Sequence, residues 1–408
     1  MKKIIAVLVA AFCLFLVSCG EKNDGSVKSV NRANSAFHSS IETPSRILLV
    51  QFGGLYYYSI VDGQSYRFCF DPLCRHTFAE KCPSVFFGFA SAMTSQVAYS
   101  DESGRFYFAR AKKIYSSLYD ASDLRLEYSL GDDDTDGIMA YNSNYIRDLK
   151  CYGSYVYFMY TNAETGRTQV LRYDTSRGKL EEMTDADNEW VIGYEIASDY
   201  VYLKMLVGDD IIRYYTVDMD IDNRKVVENP ISPESFGVSL GVYDGKYFYG
   251  KNRDGLYRLD PVSDKKELIT NSAEALGGQV MAVDGHGVYF ISGERTVIGE
   301  KEFGGEYVSE NNKICRISFD GAVSELFSMP EAEMLNLCVV HDGIIVNCGI
   351  YMKTDERIES KGGVFIYIHF DDSGYVKSAE IIGKNADDEV LKDYFNGLLQ
   401  KNNERILK

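Results

Sequence analysis

The stretch that decides the fold is Asp244-Gly245-Lys246-Tyr247-Phe248-Tyr249, a turn that leads into a short run of alternating aromatic residues. A second run, Leu256-Tyr257-Arg258-Leu259-Asp260, ends in aspartate, and Lys265-Lys266-Glu267-Leu268-Ile269 follows after another turn. Alternating β-branched and aromatic residues between Gly, Asp and Ser clusters predict strands joined by tight turns. Residues 244–269 therefore predict a small antiparallel sheet.

The same pattern recurs along the chain. If the aromatic or apolar residues of the first run are equivalent, they lie 41 to 56 residues apart, at Tyr57, Tyr107, Tyr157, Tyr202, Phe248, Tyr289 and Ile345. The later run that ends in aspartate keeps this rhythm, at Asp71, Asp120, Asp174, Asp218, Asp260, Asp320 and Asp371. Several strands in each repeat of about 40 to 50 residues are typical of a β-propeller.

One four-stranded sheet of this kind leaves an apolar face uncovered, so the repeats must stack into a ring. We therefore predict an all-β chain with a single β-propeller of seven four-stranded blades over residues 45–384. Six or eight blades stay open, because the first and last repeats are degenerate. We expect the aromatic residues to fill the space between blades and the aspartates to cap turns. The alternative for the aspartates is a ring of ligands around the pore.

Residues 385–408 change period and predict a C-terminal amphipathic helix. Its apolar positions share one helical face, at Val390, Leu391, Tyr394, Phe395, Leu398 and Leu399. Asn385 or Asp387 is the expected N-cap. We expect this helix to pack on the propeller, with a partner-binding helix as the alternative.

The N-terminus has the organisation of an export signal. Met1-Lys2-Lys3 is basic, Ile4 to Val17 is apolar, and Leu16-Val17-Ser18-Cys19 follows at its end. The apolar run is too short for a comfortable bilayer span and suits a signal peptide. The ending resembles the lipobox of bacterial lipoproteins, which implies cleavage of residues 1–18 and a lipid, such as palmitate, on Cys19. An ordinary secreted protein and an uncleaved anchor are the alternatives.

Residues 19–44 then predict a flexible tether, because they are rich in Ser, Asn, Lys and Gly. The expected location is the extracytoplasmic side of the cell membrane, with the lipid as the contact.

Composition excludes two classes. The 408 residues are 45% hydrophobic, which is too apolar for wholesale disorder. Sixty acidic against 43 basic residues give a net charge of −17, which argues against a nucleic-acid partner.

One cluster could carry chemistry: Cys69, Cys74, His76 and Cys82, in the pattern C-x4-C-x-H-x5-C. Three thiolates and an imidazole could hold Zn²⁺ tetrahedrally. A disulfide within the cluster, or reduced structural thiols, remain open, since exported proteins meet an oxidising environment.

The lipobox, this cluster and the repeat rhythm together resemble the propeller-type lipoproteins of Gram-positive anaerobes, and the repeats resemble the YWTD/TolB-like propeller class. The chain departs from the lipoprotein pattern in its Cys-to-Cys spacing. The resemblance implies a surface lipoprotein without an assigned activity and brings no catalytic residue.

Three further patterns are weaker. Asp132, Asp134 and Asp136 match the opening of a Ca²⁺ loop, but the twelfth position is Ser143 rather than Glu, so an exposed acidic loop is the alternative. Gly237-Val238-Ser239-Leu240-Gly241 matches a nucleophile elbow, which needs a helix after it, whereas a strand is predicted there. Cys151, Cys315, Cys338 and Cys348 are expected to be buried thiols, with a Cys338–Cys348 disulfide across a hairpin as an alternative.

These observations predict a cell-surface module that binds or scaffolds a protein or glycan through the propeller loops, without catalysis and without a cofactor. The alternatives are a propeller enzyme acting on an envelope carbohydrate or peptide, and a metal or redox protein centred on the Cys69–Cys82 cluster, with zinc or calcium as the possible ion.

Overall fold

The structure is a computed structural model. It describes residues 40–51, 54–71, 73–75, 82, 97–110, 112–131, 146–162, 165–184, 190–197, 200–207, 211–218, 226–228, 242–251, 254–260, 263, 265–272, 279–298, 306–329, 332–353, 358–383 and 388–406. This part of the chain is all-β apart from one helix near the C-terminus, and it contains no helix with the length and apolarity needed to cross a bilayer.

Seven four-stranded antiparallel sheets account for the described strands, and we number them in chain order. Sheet 1 comprises β1 (Ser40–Glu42), β2 (Arg46–Gln51), β3 (Gly54–Ser59) and β4 (Gln64–Arg67). Sheet 2 comprises β5 (Val97–Ser100), β6 (Arg105–Arg110), β7 (Lys113–Leu118) and β8 (Arg125–Ser129). Sheet 3 comprises β9 (Ile146–Tyr152), β10 (Tyr155–Thr161), β11 (Thr168–Asp174) and β12 (Lys179–Glu182). Sheet 4 comprises β13 (Val191–Ala197), β14 (Tyr200–Val207), β15 (Ile211–Asp218) and β16 (Val226–Glu228).

The remaining sheets repeat this order. Sheet 5 comprises β17 (Val242–Tyr243), β18 (Phe248–Lys251), β19 (Leu256–Asp260) and β20 (Lys265–Thr270). Sheet 6 comprises β21 (Gln279–Asp284), β22 (Gly287–Ile298), β23 (Glu306–Ile317) and β24 (Val323–Met329). Sheet 7 comprises β25 (Ala332–Val340), β26 (Gly343–Lys353), β27 (Ile358–Phe370) and β28 (Val376–Ile382), and the helix α1 (Glu389–Ile406) follows.

The sheets are arranged as a β-propeller. Within each sheet the strands pair in chain order. The first strands of successive sheets also contact each other, as β5 does β9, β17 does β21, and β21 does β25. Strands nearest the axis of a ring are expected to meet in this way, so the first strand of each sheet is innermost and the fourth is outermost.

Apolar side chains join each sheet to the next. Five interfaces between neighbouring sheets are hydrophobic clusters to which both sheets contribute. Representative pairs are Leu48 and Phe106 (sheets 1 and 2), Tyr107 and Val156 (2 and 3), Tyr157 and Val201 (3 and 4), Tyr249 and Phe290 (5 and 6), and Tyr289 and Ile344 (6 and 7). Sheets 4 and 5 meet where the rings of Tyr202 and Phe248 stand edge to face, with centroids 5.1 Å apart. The aromatic residues therefore fill the space between sheets, as predicted.

The last sheet also packs on the first. Ile47, Leu49 and Tyr58 of sheet 1 share a buried cluster with Ile345 and Tyr367 of sheet 7. The rings of Tyr58 and Tyr367 stand edge to face, with centroids 5.4 Å apart.

Sheet 1 corrects two predictions. It begins at Ser40, so the propeller begins before residue 45, the predicted start. The Gly54–Ser59 strand, predicted to be equivalent to the strands of Tyr107 and Tyr157, is the third of its sheet, whereas those are second strands. Its Tyr58 and Gly63 correspond to Tyr173 and Gly178 after the third strand of sheet 3, because each glycine, at φ +68° and +64°, lies beside the hydroxyl of its tyrosine. Asp71 consequently lies beyond sheet 1, in the connection to sheet 2.

Sheet 5 needs a shift of one residue. Tyr249, rather than Phe248, is equivalent to Tyr289, since each donates a hydrogen bond to the aspartate five residues before it. The prediction failed here because two adjacent aromatic residues fit the repeat equally well.

The helix α1 begins later than predicted and has a different cap. The carboxylate of Asp388, rather than that of Asn385 or Asp387, accepts hydrogen bonds from the N–H groups of Val390 and Leu391. Leu391, Phe395 and Leu398 are buried in the core shared by sheets 6 and 7. The helix thus packs on the propeller, against the outermost strands β24 and β28.

Candidate functional site

The ring has two unlike faces. Because neighbouring strands are antiparallel, the turns from first to second and from third to fourth strands lie on one face, which we call the turn face. The turns from second to third strands, and the connections from one sheet to the next, lie on the other, which we call the connection face.

The turn face is built from short turns. Residues 153–154, 285–286 and 341–342 are representative. The connection face instead joins strands that are farther apart in sequence, separated by residues 68–96, 130–145 and 229–241. It also carries two hairpins of long strands, β22–β23 and β26–β27, with strands of 11 to 13 residues.

Aspartates cap the turns of the turn face, as predicted. The carboxylate of Asp174, for example, accepts hydrogen bonds from the backbone N–H groups of Ser176 and Arg177. The same contact to a following N–H group occurs at Asp62, Asp120, Asp244, Asp260, Asp284, Asp320 and Asp371. Asp71 caps a turn in the connection after sheet 1. These carboxylates have a structural role.

Two of these aspartates also bind a buried tyrosine. Asp244 accepts the hydroxyl proton of Tyr249 at 2.8 Å, and Asp284 accepts that of Tyr289 at 2.7 Å. Burial and the neighbouring carboxylate raise the pKa of both phenols well above 10. Both phenols therefore stay neutral hydrogen-bond donors at neutral pH.

Glutamates of the outermost strands are also engaged. In sheet 3, Arg172 donates to Glu181 at 2.8 Å, and both side chains are buried. In sheet 5, Arg258 donates to Glu267 at 2.8 Å, and both side chains are more exposed to solvent than the pair in sheet 3. The Arg172–Glu181 pair is shielded from water and joins β11 to β12, the third and fourth strands of sheet 3.

The junction of sheets 7 and 1 holds a polar network. The hydroxyl of Tyr58 donates to Glu380 at 2.8 Å, and the same carboxylate lies 3.0 Å from Nε2 of His369. Nδ1 of His369 lies 3.4 Å from Asp342, which also accepts the hydroxyl of Tyr367. Burial alone would lower the pKa of His369, but its hydrogen bonds to Glu380 and Asp342 outweigh burial and raise that pKa.

The structure brings three of the predicted site residues together. The Sγ atoms of Cys69, Cys74 and Cys82 all lie within 4.8 Å of one another, and those of Cys69 and Cys82 are 4.0 Å apart. Cys82 is 1% exposed, whereas Cys69 and Cys74 are half-buried. No disulfide joins any of the seven cysteines in the described part of the chain. Three converging sulfurs are a donor set for a thiophilic metal.

The other predicted sites fall elsewhere. Cys19, His76 and the calcium candidates Asp132, Asp134 and Asp136 lie outside the described residues, as does Gly237-Val238-Ser239-Leu240-Gly241. The strand β17 begins at Val242, directly after this last pattern, where a nucleophile elbow requires a helix.

The alternative of a Cys338–Cys348 disulfide is wrong. Cys348 lies opposite Met334 in the β25–β26 hairpin, and Cys338 lies opposite Ile345. Cys338 is four residues along β25 from Met334, the partner of Cys348, and four residues of strand span about 13 Å. A disulfide needs Cα atoms within about 7 Å of each other. Cys151, Cys315, Cys338 and Cys348 are buried, as predicted.

Sequence reasoning missed the network between sheets 7 and 1. Tyr58 and Glu380 are 322 residues apart, and no local pattern joins them. The tyrosine before the turn between the third and fourth strands could have indicated this contact. Tyr173, at the equivalent position of sheet 3, makes the corresponding contact to Glu127 of the preceding sheet.

No protein-family model matches the chain. No curated protein matches it either.

Solved structures do resemble it. TolB from Acinetobacter baumannii is 14% identical over 85% of this chain and 82% of its own, at a TM-score of 0.37. PorZ, a surface component of the type-IX secretion system of Porphyromonas gingivalis, is 12% identical over 86% of this chain and 53% of its own, at a TM-score of 0.42. A puromycin hydrolase mutant in complex with PGG is 10% identical over 89% of this chain, at a TM-score of 0.55.

The chain spans 56% of the hydrolase, a little over half its length. At 10% identity this likeness concerns the fold alone, and the two lower TM-scores carry no weight beyond it. The sheet arrangement and this likeness agree on a β-propeller.

Proposed function

We propose that the protein is a lipid-anchored surface lipoprotein whose single propeller, with the seven sheets as its seven blades, is a non-catalytic binding module. The expected partner is a protein or glycan of the cell envelope, held at the connection face. Packing of each sheet on the next, and of sheet 7 on sheet 1, supports the count of seven.

The contrast between the two faces carries this proposal. On the turn face, the segments are short, and their carboxylates accept hydrogen bonds from backbone N–H groups of the same turns. On the connection face, the stretches of sequence between strands are longer, and two hairpins of long strands lie there. Binding sites concentrate on loops that a rigid scaffold positions, so the connection face is the expected binding surface.

Five of the described carboxylates contact partners within the propeller, which favours binding over hydrolysis. A glycosidase needs two carboxyl groups that face the substrate across a cleft. Here Glu181, Glu267 and Glu380 contact Arg172, Arg258 and His369, and Asp244 and Asp284 hold turns and tyrosines. These acids support the ring.

The anchor would approach the connection face. The innermost strand β1 starts there, and residues 20–39 precede it. Twenty extended residues reach at most about 70 Å. A tether of this length would hold the propeller close to the membrane and leave it free to turn toward an envelope partner.

The lipid can be tested by metabolic labelling. Cells that express the full chain should incorporate a labelled fatty acid into the protein, and Cys19→Ala should abolish incorporation and release the protein from the membrane fraction. Cys13→Ala is the matched control, because it removes a cysteine from within the predicted signal peptide. Labelling that persists in Cys19→Ala would contradict the lipid site.

Binding at the connection face can be tested by photo-crosslinking of the full chain in its own cells. A photoreactive amino acid is placed at Leu73 in the connection after β4, which is 88% exposed, and in a second variant at Val61 on the turn face, which is 84% exposed. We expect a discrete adduct from position 73 and none from position 61. Adducts from position 61 alone, or from neither position, would contradict the proposal, and mass spectrometry of the adduct gives the partner's class.

A further inference from the structure

The three clustered thiols lie at a defined place in the fold. Cys69 follows two residues after β4, and all three belong to the connection 68–96 between sheets 1 and 2. Phe68 and Phe70 fix the start of this connection, because their rings pack on Phe108 of sheet 2 with centroids 6.3 and 5.4 Å away. The first cysteine of the cluster is therefore held between a buried and a partly buried aromatic residue.

The number and spacing of the sulfurs point away from a simple disulfide. A disulfide uses two thiols, and a third within 4.8 Å of both would have no part in it. Zinc–sulfur bonds are about 2.3 Å long, so the sulfurs of a tetrahedral site lie about 3.8 Å apart. The separation of Cys69 and Cys82, at 4.0 Å, is close to that value. An ion at the centre of the three would need them to move inward by only about 0.5 Å.

We propose that Cys69, Cys74 and Cys82 supply three of the four ligands of a structural Zn²⁺ site that ties residues 74 and 82 to the end of sheet 1. Each ligating thiol loses its S–H proton to solvent when a Zn–S bond forms, and no electron is transferred. Soft sulfur donors select zinc over calcium or magnesium. The site goes beyond the proposed binding function, since it stabilises the scaffold rather than contacting the partner.

The test uses the purified full chain in detergent, reduced, freed of metal and titrated with Zn²⁺ and with Co²⁺ as a spectroscopic probe. We expect one Zn²⁺ per chain, release of protons on binding, and the sulfur-to-cobalt charge-transfer absorption of thiolate ligands. Zinc should also raise the Tm, because it binds only the folded chain.

Cysteine variants locate the site. Cys74→Ser changes a half-buried ligand and should weaken Zn²⁺ binding at least tenfold, with loss of charge-transfer intensity. Cys338→Ser is the matched control, because it removes a cysteine from a strand of sheet 7 and should leave zinc uptake unchanged.

Three results would overturn the proposal. They are no zinc uptake by the reduced chain, equal uptake by Cys74→Ser and the unaltered chain, and a Cys69–Cys82 disulfide in protein isolated from its own cells without reductant. If Cys74→Ser fails to fold, Cys69→Ser, at the other half-buried thiol, makes the same comparison.

Discussion

Tyr289 shows what a single residue contributes to this fold. Its ring is fully buried between sheets 6 and 7, and its hydroxyl donates to Asp284, which also holds the turn before β22. Both residues belong to one repeat, five positions apart, so the aspartate and the aromatic were predictable from the sequence. The bond between them was not, because it depends on which of the alternating side chains faces the next sheet.

Tyr289→Phe removes this hydroxyl and keeps the ring. We expect a loss of about 1 kcal/mol in the free energy of unfolding, the usual net value of a buried hydrogen bond, plus the cost of leaving Asp284 less well satisfied. Urea unfolding measures it, with Tyr200→Phe at an exposed tyrosine as the control. Equal stability of the two variants would mean that the Tyr289–Asp284 contact contributes nothing.

His369 should make stability depend on pH. Its folded pKa is raised, so its contribution is fully present below the unfolded pKa of about 6.5 and is lost as pH rises through the folded value. The free energy of unfolding should therefore fall as pH rises from about 6.5, an effect that His369→Gln removes and that His286→Gln at an exposed turn leaves intact. Asp342 and Glu380, whose pKa values are lowered, lose their contributions only at acidic pH.

An unchanged pH dependence in His369→Gln would show that the imidazole does not couple the two sheets. Chemical denaturation across this pH range, with the two variants side by side, decides the point.

At the scale of elements, α1 shows how a helix protects a sheet. Asn402 is buried. Its side-chain oxygen accepts a hydrogen bond from the backbone N–H of Ser328, and its side-chain NH₂ donates one to the backbone carbonyl of Ser328. Ser328 belongs to β24, the outermost strand of sheet 6, whose free edge would otherwise present these groups. The apolar face of the helix was predictable from its period. The role of Asn402 was not, because a polar residue on a helix gives no sign of a strand edge beside it.

Asn402→Ala should cost about 1 to 3 kcal/mol, because it leaves two backbone groups of β24 without their partner in a buried place. Asn396→Ala is a matched control, since Asn396 is exposed on the same helix and alanine favours helices by up to about 0.7 kcal/mol. Thermal unfolding measures both. A smaller effect of Asn402→Ala than of Asn396→Ala would contradict the edge-capping role.

At the scale of the whole molecule, the sequence repeat predicted a ring of sheets and the approximate position of each sheet along the chain. The errors concerned which strand of a sheet a given stretch of sequence forms. A strand rich in tyrosine fits the pattern of a second strand and of a third strand equally well. The prediction for sheet 1 was therefore wrong by one strand, and the hydrogen bond of Tyr58 to Glu380 of sheet 7 identifies its strand as the third. The start of the propeller was predicted too late for a different reason, because Ser40–Glu42 carries no aromatic signal and is recognised only by its pairing with β2.

Closure of the ring predicts coupling between its ends. Tyr58→Phe and Glu380→Gln should together cost less than the sum of their separate effects, by about 0.5 to 3 kcal/mol, because each breaks the same hydrogen bond. Tyr58→Phe with Glu267→Gln, in sheet 5, should be additive. Additivity in the first pair would mean that sheets 1 and 7 do not meet through this bond.

The measurement closest to the proposed function compares the two faces in living cells. Single cysteines at Trp190, just before β13 on the connection face, and at Tyr375 on the turn face replace side chains that are 51% and 62% exposed. A membrane-impermeant thiol reagent is applied to cells and to the purified chain, with the unsubstituted protein as background. If a partner occupies the connection face, position 190 reacts more slowly in cells than in the purified chain, while position 375 reacts alike in both. Equal reactivity of position 190 in cells and in solution, or protection of position 375 alone, would contradict binding at the connection face.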